Sequence, residues 1–229
     1  KPKRIKSLLE YERFFVYVDP EKESLSVVFT NGGAEVNGKI DDAKRSKFLM
    51  YYALQMYFAN GGGPCWITSV GNYLDTGGQI VAQDLLDGLG EVAKINEITL
   101  LNYPDSINLG TADDYYNVYT EAIDQCAELQ DRFTVLDVYR TIANKQNWED
   151  DIAVFRTKLS GTTDKLKYAA VYFPLLYTGV DYSFRLAADR TKNNDESVKI
   201  MGVAGFETLA ALKQGKNAEY FKAVNAIRN

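Results

Sequence analysis

Three consecutive glycines, Gly61–Gly63, are the first candidates for chemistry, because glycine-rich loops can bind phosphate. In a phosphate loop the glycines follow a strand and open a helix, so the phosphate meets the positive helix N-terminus. Here an apolar helical pattern precedes the glycines, Pro64 follows them, and a β-rich run begins at Cys65. This order predicts a helix C-cap, in which glycine adopts the left-handed conformation that ends a helix.

Carboxylates are the next candidates, because the sequence contains no histidine and therefore no Ser–His or Cys–His pair. Asp105 and Asp137 follow two predicted strands, at the edge where open α/β sheets bind ligands. One interpretation is a carboxylate pair or a Mg²⁺ site. The other is that Asp105 opens a turn and Asp137 is a solvated strand end. No third reactive group joins them, which favours the second interpretation.

Other charged groups have structural explanations. N-capping explains Asp41-Asp42 and Asp113-Asp114, which precede predicted helices. A solvated acidic face in a first helical turn is favoured over a metal site for Glu149-Asp150-Asp151. Two interpretations stay open for a basic N-terminal cluster, a solvated tail or a docking strip for an acidic neighbour; its members are Lys1, Lys3, Arg4 and Lys6.

Tyrosines and cysteines also fit a packed interior. Two predicted helices are rich in tyrosine, with Tyr51, Tyr52 and Tyr57 on one and Tyr115, Tyr116 and Tyr119 on the other. Tyrosine is enriched at protein interfaces, but the helical spacing favours a core with hydroxyls at its rim. Cys65 and Cys126 match no metal motif, so we expect buried free thiols. The sequence therefore predicts no catalytic, cofactor-binding or metal site.

Composition restricts the class of protein further. The chain has 229 residues, of which 46% are hydrophobic, and a net charge of −5. The acidic balance argues against nucleic acid as a partner, since such binding needs a basic face. No apolar run approaches the roughly 20 residues of a membrane span. The sequence begins at Lys1 without methionine, so we expect it to be a fragment.

The elements that must position these residues alternate between strands and helices. Helices are predicted from Ser7 to about Phe15 and over Asp42–Asn60, Gln79–Val92, Asp113–Gln130 and Trp148–Leu159. Apolar strands are predicted over Leu25–Phe29, Cys65–Val70, Glu97–Leu101, Arg132–Val138 and Lys167–Phe173. Such alternation is typical of βαβ units. Nearly continuous apolar strands indicate helices on both faces. The predicted fold class is α/β, with a doubly wound, mostly parallel sheet.

The pattern changes after Pro174. Val180–Ala187 and Ser197–Met201 alternate in polarity around a polar loop, which predicts an antiparallel hairpin. Short helices are predicted over Gly205–Lys213 and Ala218–Ile227. We therefore expect an α/β core domain over 1–176 and a hairpin-plus-helix appendage over 177–229, inserted and packed on the core.

Four phrases together resemble the tail sheath proteins of contractile phage tails and related contractile injection systems. They occur in the family's order over about 175 residues: KRIKSLLEYERFF (Lys3–Phe15), LMYYALQMYFANGGGPCWITSV (Leu49–Val70), RFTVLDV (Arg132–Val138) and KYAAVYFPLL (Lys167–Leu176). Two details depart from the family pattern. Val16-Tyr17 replaces a Gly-Gly pair, and leucine replaces a tryptophan after Pro174. The family's C-terminal domain motifs and its N-terminal arm are also missing.

The resemblance implies a structural subunit and no enzyme. Such a subunit polymerises around an inner tail tube and contracts by rearrangement, in a virion tail or contractile particle assembled in the bacterial cytoplasm. Its partners would be neighbouring sheath subunits and the tube protein, with no nucleic acid, membrane or cofactor. Without the connecting arms, the fragment itself is expected to be monomeric or weakly associated. The alternative function is a flavodoxin-like, small-molecule or Mg-dependent enzyme domain that uses Asp105 and Asp137.

Overall fold

A computed structural model describes residues 1–15, 24–73, 78–140, 147–159, 161, 163–180 and 198–228. These residues form a mixed α/β structure with eight α-helices and three small sheets, one of them entirely parallel. The chain divides into two compact units: Lys1–Val16 with Lys47–Val180, and Tyr17–Ser46 with Asp181–Asn229. Among the described helices, none has the length and apolar character needed to cross a membrane.

The first unit begins with a two-stranded antiparallel ribbon. Strand β1 (Lys3–Ile5) pairs with β4 (Cys65–Ile67), so that Ile5 lies opposite Cys65. Helices α1 (Leu8–Phe14) and α2 (Met50–Ala59) contact each other beside the ribbon. Their shared core consists of Ile5, Tyr11, Leu54 and Ile67. Only the first three residues of the predicted strand Cys65–Val70 form a strand, and they pair with the N-terminal residues, outside the parallel sheet.

A three-stranded parallel sheet forms the rest of the first unit. Its order is β5-β6-β7, from Leu100–Leu101, Phe133–Asp137 and Ala169–Tyr172. The helices of this part are α3 (Ala82–Val92), α4 (Ala112–Leu129), α5 (Trp148–Lys158) and α6 (Thr163–Leu166). Long apolar runs with helical spacing predicted α3, α4 and α5 to within three residues at each end.

The two faces of this sheet differ in burial. Side chains alternate across a strand, so Leu136 and Val171 share one face and pack into the core of α4 tyrosines. The other face includes Leu100 and Tyr172, which are 59% and 61% exposed. In the described residues, the strands are thus apolar on both faces but well covered on only one.

The second unit is built on strand β2 (Leu25–Thr30). It pairs antiparallel with β3 (Glu35–Ile40) and parallel with β8 (Lys199–Met201). Helices α7 (Leu209–Gly215) and α8 (Asn217–Arg228) complete it. Their packing buries Val27, Phe29, Val198, Ile200, Leu209, Leu212 and Ala223.

The unit boundaries differ from the predicted domains 1–176 and 177–229, since Tyr17–Ser46 groups with the C-terminal residues. The reason is the parallel pairing of β2 with β8, which joins Val27 to Ile200. Strand β3 was not predicted, because its sequence EVNGKI is mostly polar and most of its residues are exposed. In the predicted hairpin, Lys199–Met201 forms β8, while Ser197 and all of Val180–Ala187 except Val180 lie outside the described residues.

The predicted long helix from Asp42 to Asn60 is wrong in its first half. Asp41 caps only a short 3-10 turn over Asp42–Lys44, and Arg45 is extended. The α-helix starts at Met50, eight residues later than predicted. Asp41 does act as an N-cap, because its Oδ1 accepts the N–H of Ala43 at 3.2 Å.

The triple glycine ends α2 as predicted. Gly61 has φ +84°, and its N–H donates to the carbonyl of Phe58. The N–H of Gly62 donates to the carbonyl of Tyr57 at 2.8 Å. These two bonds form a Schellman motif, which satisfies carbonyls at the helix C-terminus.

Gly61→Ala should destabilise the protein by roughly 1–2 kcal/mol, because a Cβ disfavours the left-handed conformation. Gly63→Ala is the matched control: its φ is not in that region and its added Cβ would meet no atom within 4 Å. Urea unfolding followed by circular dichroism measures both. Equal midpoints for the two variants would contradict the C-cap assignment.

Candidate functional site at the carboxyl end of the parallel sheet

The carboxyl ends of β5 and β6 are filled by tyrosine side chains from helix α4. Tyr115, Tyr116 and Tyr119 are each at most 2% exposed. Their rings pack with Tyr103, which follows β5, and Tyr139, which follows β6. We call these five residues the tyrosine cluster. The prediction of core tyrosines is confirmed for α4 and wrong for Tyr57 of α2, which is 43% exposed.

The hydroxyls of the cluster bind backbone groups where β6 ends. Tyr115 Oη donates to the carbonyl of Asp137 at 2.8 Å and accepts the Asp137 N–H at 3.2 Å. Tyr116 Oη accepts the N–H of Tyr139 at 3.1 Å. These are the backbone groups that would be available to a ligand at the end of a parallel strand. Here the protein's own side chains occupy them.

The loop after β5 is fixed in the same way. Tyr139 Oη donates to the carbonyl of Leu109 at 2.7 Å. Ser106 is 1% exposed, and its Oγ lies 3.2 Å from Tyr119 Oη. Tyrosines of α4 thus contact both the segment that follows β5 and the segment that follows β6. The result is a packed, hydrogen-bonded edge.

Burial keeps these hydroxyls protonated. It raises the pKa of Tyr119 to about 12, and it also raises the pKa of Tyr115. Burial likewise raises the pKa values of Tyr103, Tyr116 and Tyr139. Because the raised pKa values move ionisation further from neutral pH, the hydroxyls of the tyrosine cluster stay protonated. They can donate hydrogen bonds but do not act as bases.

Asp105 has a structural partner. It lies in a 3-10 turn after β5, and its Oδ1 accepts the N–H groups of Leu49 and Met50, the latter at 2.9 Å. Those N–H groups are at the start of α2, where a helix lacks internal acceptors. Burial raises the pKa of the Asp105 carboxyl, and the two backbone donors partly oppose that shift. Asp105 therefore caps α2 from 55 residues away in sequence.

Asp137 is the exposed last residue of β6, and partial shielding from solvent raises the pKa of its carboxyl. Its backbone is held by Tyr115, whereas Asp105 is held by α2. The two aspartates thus have separate structural roles. Across the ranges that the structure describes, no group of three or more Cys, Asp or Glu residues is arranged to hold a metal ion.

The remaining acidic candidates lie in the first turns of α4 and α5. Thr111, not Asp113 or Asp114, is the N-cap of α4, and its Oγ1 accepts the N–H of Asp114 at 3.1 Å. Glu149 and Asp150 are exposed as predicted. Asp151 is instead 7% exposed, and its Oδ2 lies 3.4 Å from Arg140 Nε. The interpretation as a solvated face is therefore wrong for Asp151.

Arg132 is a structural residue that the sequence did not reveal. Its guanidinium is fully buried and donates to the carbonyls of Val92 and Ile95, at and just beyond the C-terminus of α3. It also pairs with Asp131 at 2.8 Å. A cation suits this position because the helix dipole is negative there. The only local signal was a charged residue beside an apolar strand.

The cysteines are both free thiols. Cys126 is fully buried beside Ala122, as predicted, whereas Cys65 is only partly buried. Burial raises the pKa of both thiols. A raised pKa disfavours the reactive thiolate, so neither cysteine resembles an activated nucleophile.

Tyr115→Phe should lower the free energy of unfolding by about 1–3 kcal/mol, because the partly buried Asp137 N–H and carbonyl lose their partner. Tyr177→Phe is the control, since Tyr177 is fully exposed. Guanidinium unfolding monitored by fluorescence gives both values. A Tyr115 variant as stable as the control would refute the role given to this hydroxyl.

Asp105→Ala should cost about 1–3 kcal/mol, since two N–H groups of α2 lose their acceptor. Asp105→Asn keeps an acceptor oxygen and should cost less. Asp164→Ala removes an exposed carboxylate and should change stability by less than about 0.5 kcal/mol. Thermal unfolding ranks the three variants; no difference between Ala and Asn at position 105 would argue against capping.

No protein-family model matches the chain, and no curated protein sequence matches it either.

Proposed function

We propose that the chain is a structural subunit of a contractile tail sheath, which polymerises around an inner tube and contracts by subunit rearrangement. The observation that carries this proposal is the closed carboxyl end of the parallel sheet. Tyr115, Tyr116 and Tyr139 use their hydroxyls on the chain's own backbone, where an α/β enzyme would bind its ligand. A mechanical subunit needs a rigid body and no such opening.

The placement of the sheath-like phrases supports the proposal. The first phrase forms β1 and α1, the second forms α2 and β4, and β1 pairs with β4. The third and fourth phrases form β6 and β7, which are neighbours in the parallel sheet. Residues that resemble one family thus lie in contact within one compact unit.

The proposal includes the finer architecture. The crossovers β5–α4–β6 and β6–α5–α6–β7 are consistent with one layer of a doubly wound sheet. The opposite face carries exposed Leu100 and Tyr172 and would be covered by a second layer or by a neighbouring subunit. The C-terminal hairpin over Val180–Met201 remains part of the proposal.

The functional assignment has consequences for partners. The subunit would bind neighbouring copies and the inner tube protein, in a virion tail or contractile particle assembled in the bacterial cytoplasm. It would use no enzyme activity, cofactor, nucleic acid or membrane. An enzyme that depends on Asp105 and Asp137 receives less support, because the Asp105 carboxylate already binds two N–H groups.

The test is assembly. The product of the complete reading frame, produced with its tube protein, should form tubes visible by negative-stain electron microscopy. The 229-residue chain alone should be monomeric or weakly associated by light scattering. Failure of the complete product to polymerise at any salt concentration would overturn the proposal. A salt-resistant ring of the isolated chain would contradict the second expectation.

A further inference from the structure

An exposed aromatic ring flanked by cations lies where β1 meets α1. Phe14 is 49% exposed, and Lys3 Nζ lies 4.2 Å from the centre of its ring. The guanidinium of Arg13 lies 6.0 Å from the same centre. Within the part of the chain that the structure describes, neither cation forms an ion pair. We call Lys3, Arg13 and Phe14 the basic aromatic site.

The basic N-terminal cluster is thereby part of the folded body. Lys3 and Arg4 belong to β1 and lie opposite Ile67 and Trp66 of β4. Lys1, Lys3, Arg4 and Lys6 are all exposed. An ordered strand holds these charges in fixed positions, which a solvated tail would not do. Of the two interpretations left open by the sequence, the docking strip therefore fits the geometry.

A feature of opposite charge lies at the start of α5. Trp148 is 52% exposed, and Glu149 and Asp150 beside it in the first turn are exposed as well. Asp150 accepts a hydrogen bond from the side-chain amide of Asn147. We call Trp148, Glu149 and Asp150 the acidic aromatic knob. Tryptophan is among the residues most enriched at binding hot spots.

We propose that the acidic aromatic knob of one copy docks on the basic aromatic site of a second copy. Each feature has an exposed aromatic side chain and two charges, and the signs are opposite. Two basic sites facing each other would repel, as would two acidic knobs, so each contact pairs a knob with a site. Made head to tail, such a contact is heterologous and continues from copy to copy.

The negative net charge of the chain opposes this contact and limits its strength. The chain carries −5 overall, so copies repel one another at long range. Local attraction must overcome that repulsion, and exposed ion pairs contribute little individually. The expected association is weak and strengthens as protein concentration rises. High salt weakens it, because the screening length falls to about 3 Å at 1 M. This inference rests on the proposed function by naming a contact between sheath subunits.

Two charge-swapped variants test the contact. The first is Lys3→Glu with Arg13→Glu, and the second is Glu149→Lys with Asp150→Lys. In the first variant both features are acidic, and in the second both are basic. Each variant alone should therefore be monomeric. In an equimolar mixture, the knob of each variant meets a site of opposite charge on the other variant. Association should therefore return. Sedimentation velocity of the 229-residue chain at low salt measures this, beside the wild type.

Controls separate local complementarity from net charge and from misfolding. Lys39→Glu with Lys216→Glu makes the same change in net charge as the first variant but leaves both features intact, so alone it should still associate at low salt. Trp148→Ala leaves the charges intact and should weaken self-association several-fold. Circular dichroism establishes that each variant is folded.

Three results would overturn the contact: a wild type that stays monomeric at low salt, a mixture that stays monomeric, or a net-charge control that is monomeric alone. The outcome is distinguishable from the test of sheath function. If the complete product forms tubes while the mixture stays monomeric, only this contact is wrong. If the mixture associates and no tubes form, the contact stands and the sheath proposal fails.

Discussion

The first unit depends on hydrogen bonds from the α4 tyrosines to the backbone where β6 ends. Short parallel strands leave N–H and carbonyl groups at their ends, and buried groups of this kind need partners. Tyr115 satisfies both groups of Asp137, and Tyr116 satisfies the N–H of Tyr139. In many α/β proteins the same edge stays open and binds a ligand. Here a single helix completes the core and closes the edge.

This arrangement suits a part that moves as a whole. Close-packed interiors resist continuous deformation, so large rearrangements occur at interfaces between rigid bodies. Tyr115 packs with three other tyrosine rings at centroid distances of 4.9–5.1 Å, and its hydroxyl fixes the strand end. The edge of the sheet is therefore tied to α4 by packing and hydrogen bonds together. If the subunits form a contractile lattice, the two stable arrangements would differ at the surfaces between subunits.

Local signals in the sequence predicted much of the secondary structure, while long-range contacts decided the rest. Gly61 was recognised because a cap acts within one helical turn. The start of α2 was missed because its acceptor, Asp105, lies 55 residues later in the sequence. The grouping of β2 with the C-terminal residues was missed for the same reason, since Val27 pairs with Ile200.

The candidate site shows the same limit. Helical spacing was enough to predict that the α4 tyrosines are buried, but not which backbone groups their hydroxyls bind. The carboxylate of Asp105 was found by its place after a strand, and its role came from a contact that no local pattern encodes. The burial of Arg132 could not be predicted, because a charged residue beside a strand usually faces water.

The capping of α2 by Asp105 also orders events during synthesis. Leu49 and Met50 leave the ribosome well before Asp105, which accepts their N–H groups. Until that residue emerges, the start of the helix lacks the acceptor that it has in the folded protein. The first turn of α2 therefore gains its final hydrogen bonds only after the segment that follows β5 has been translated.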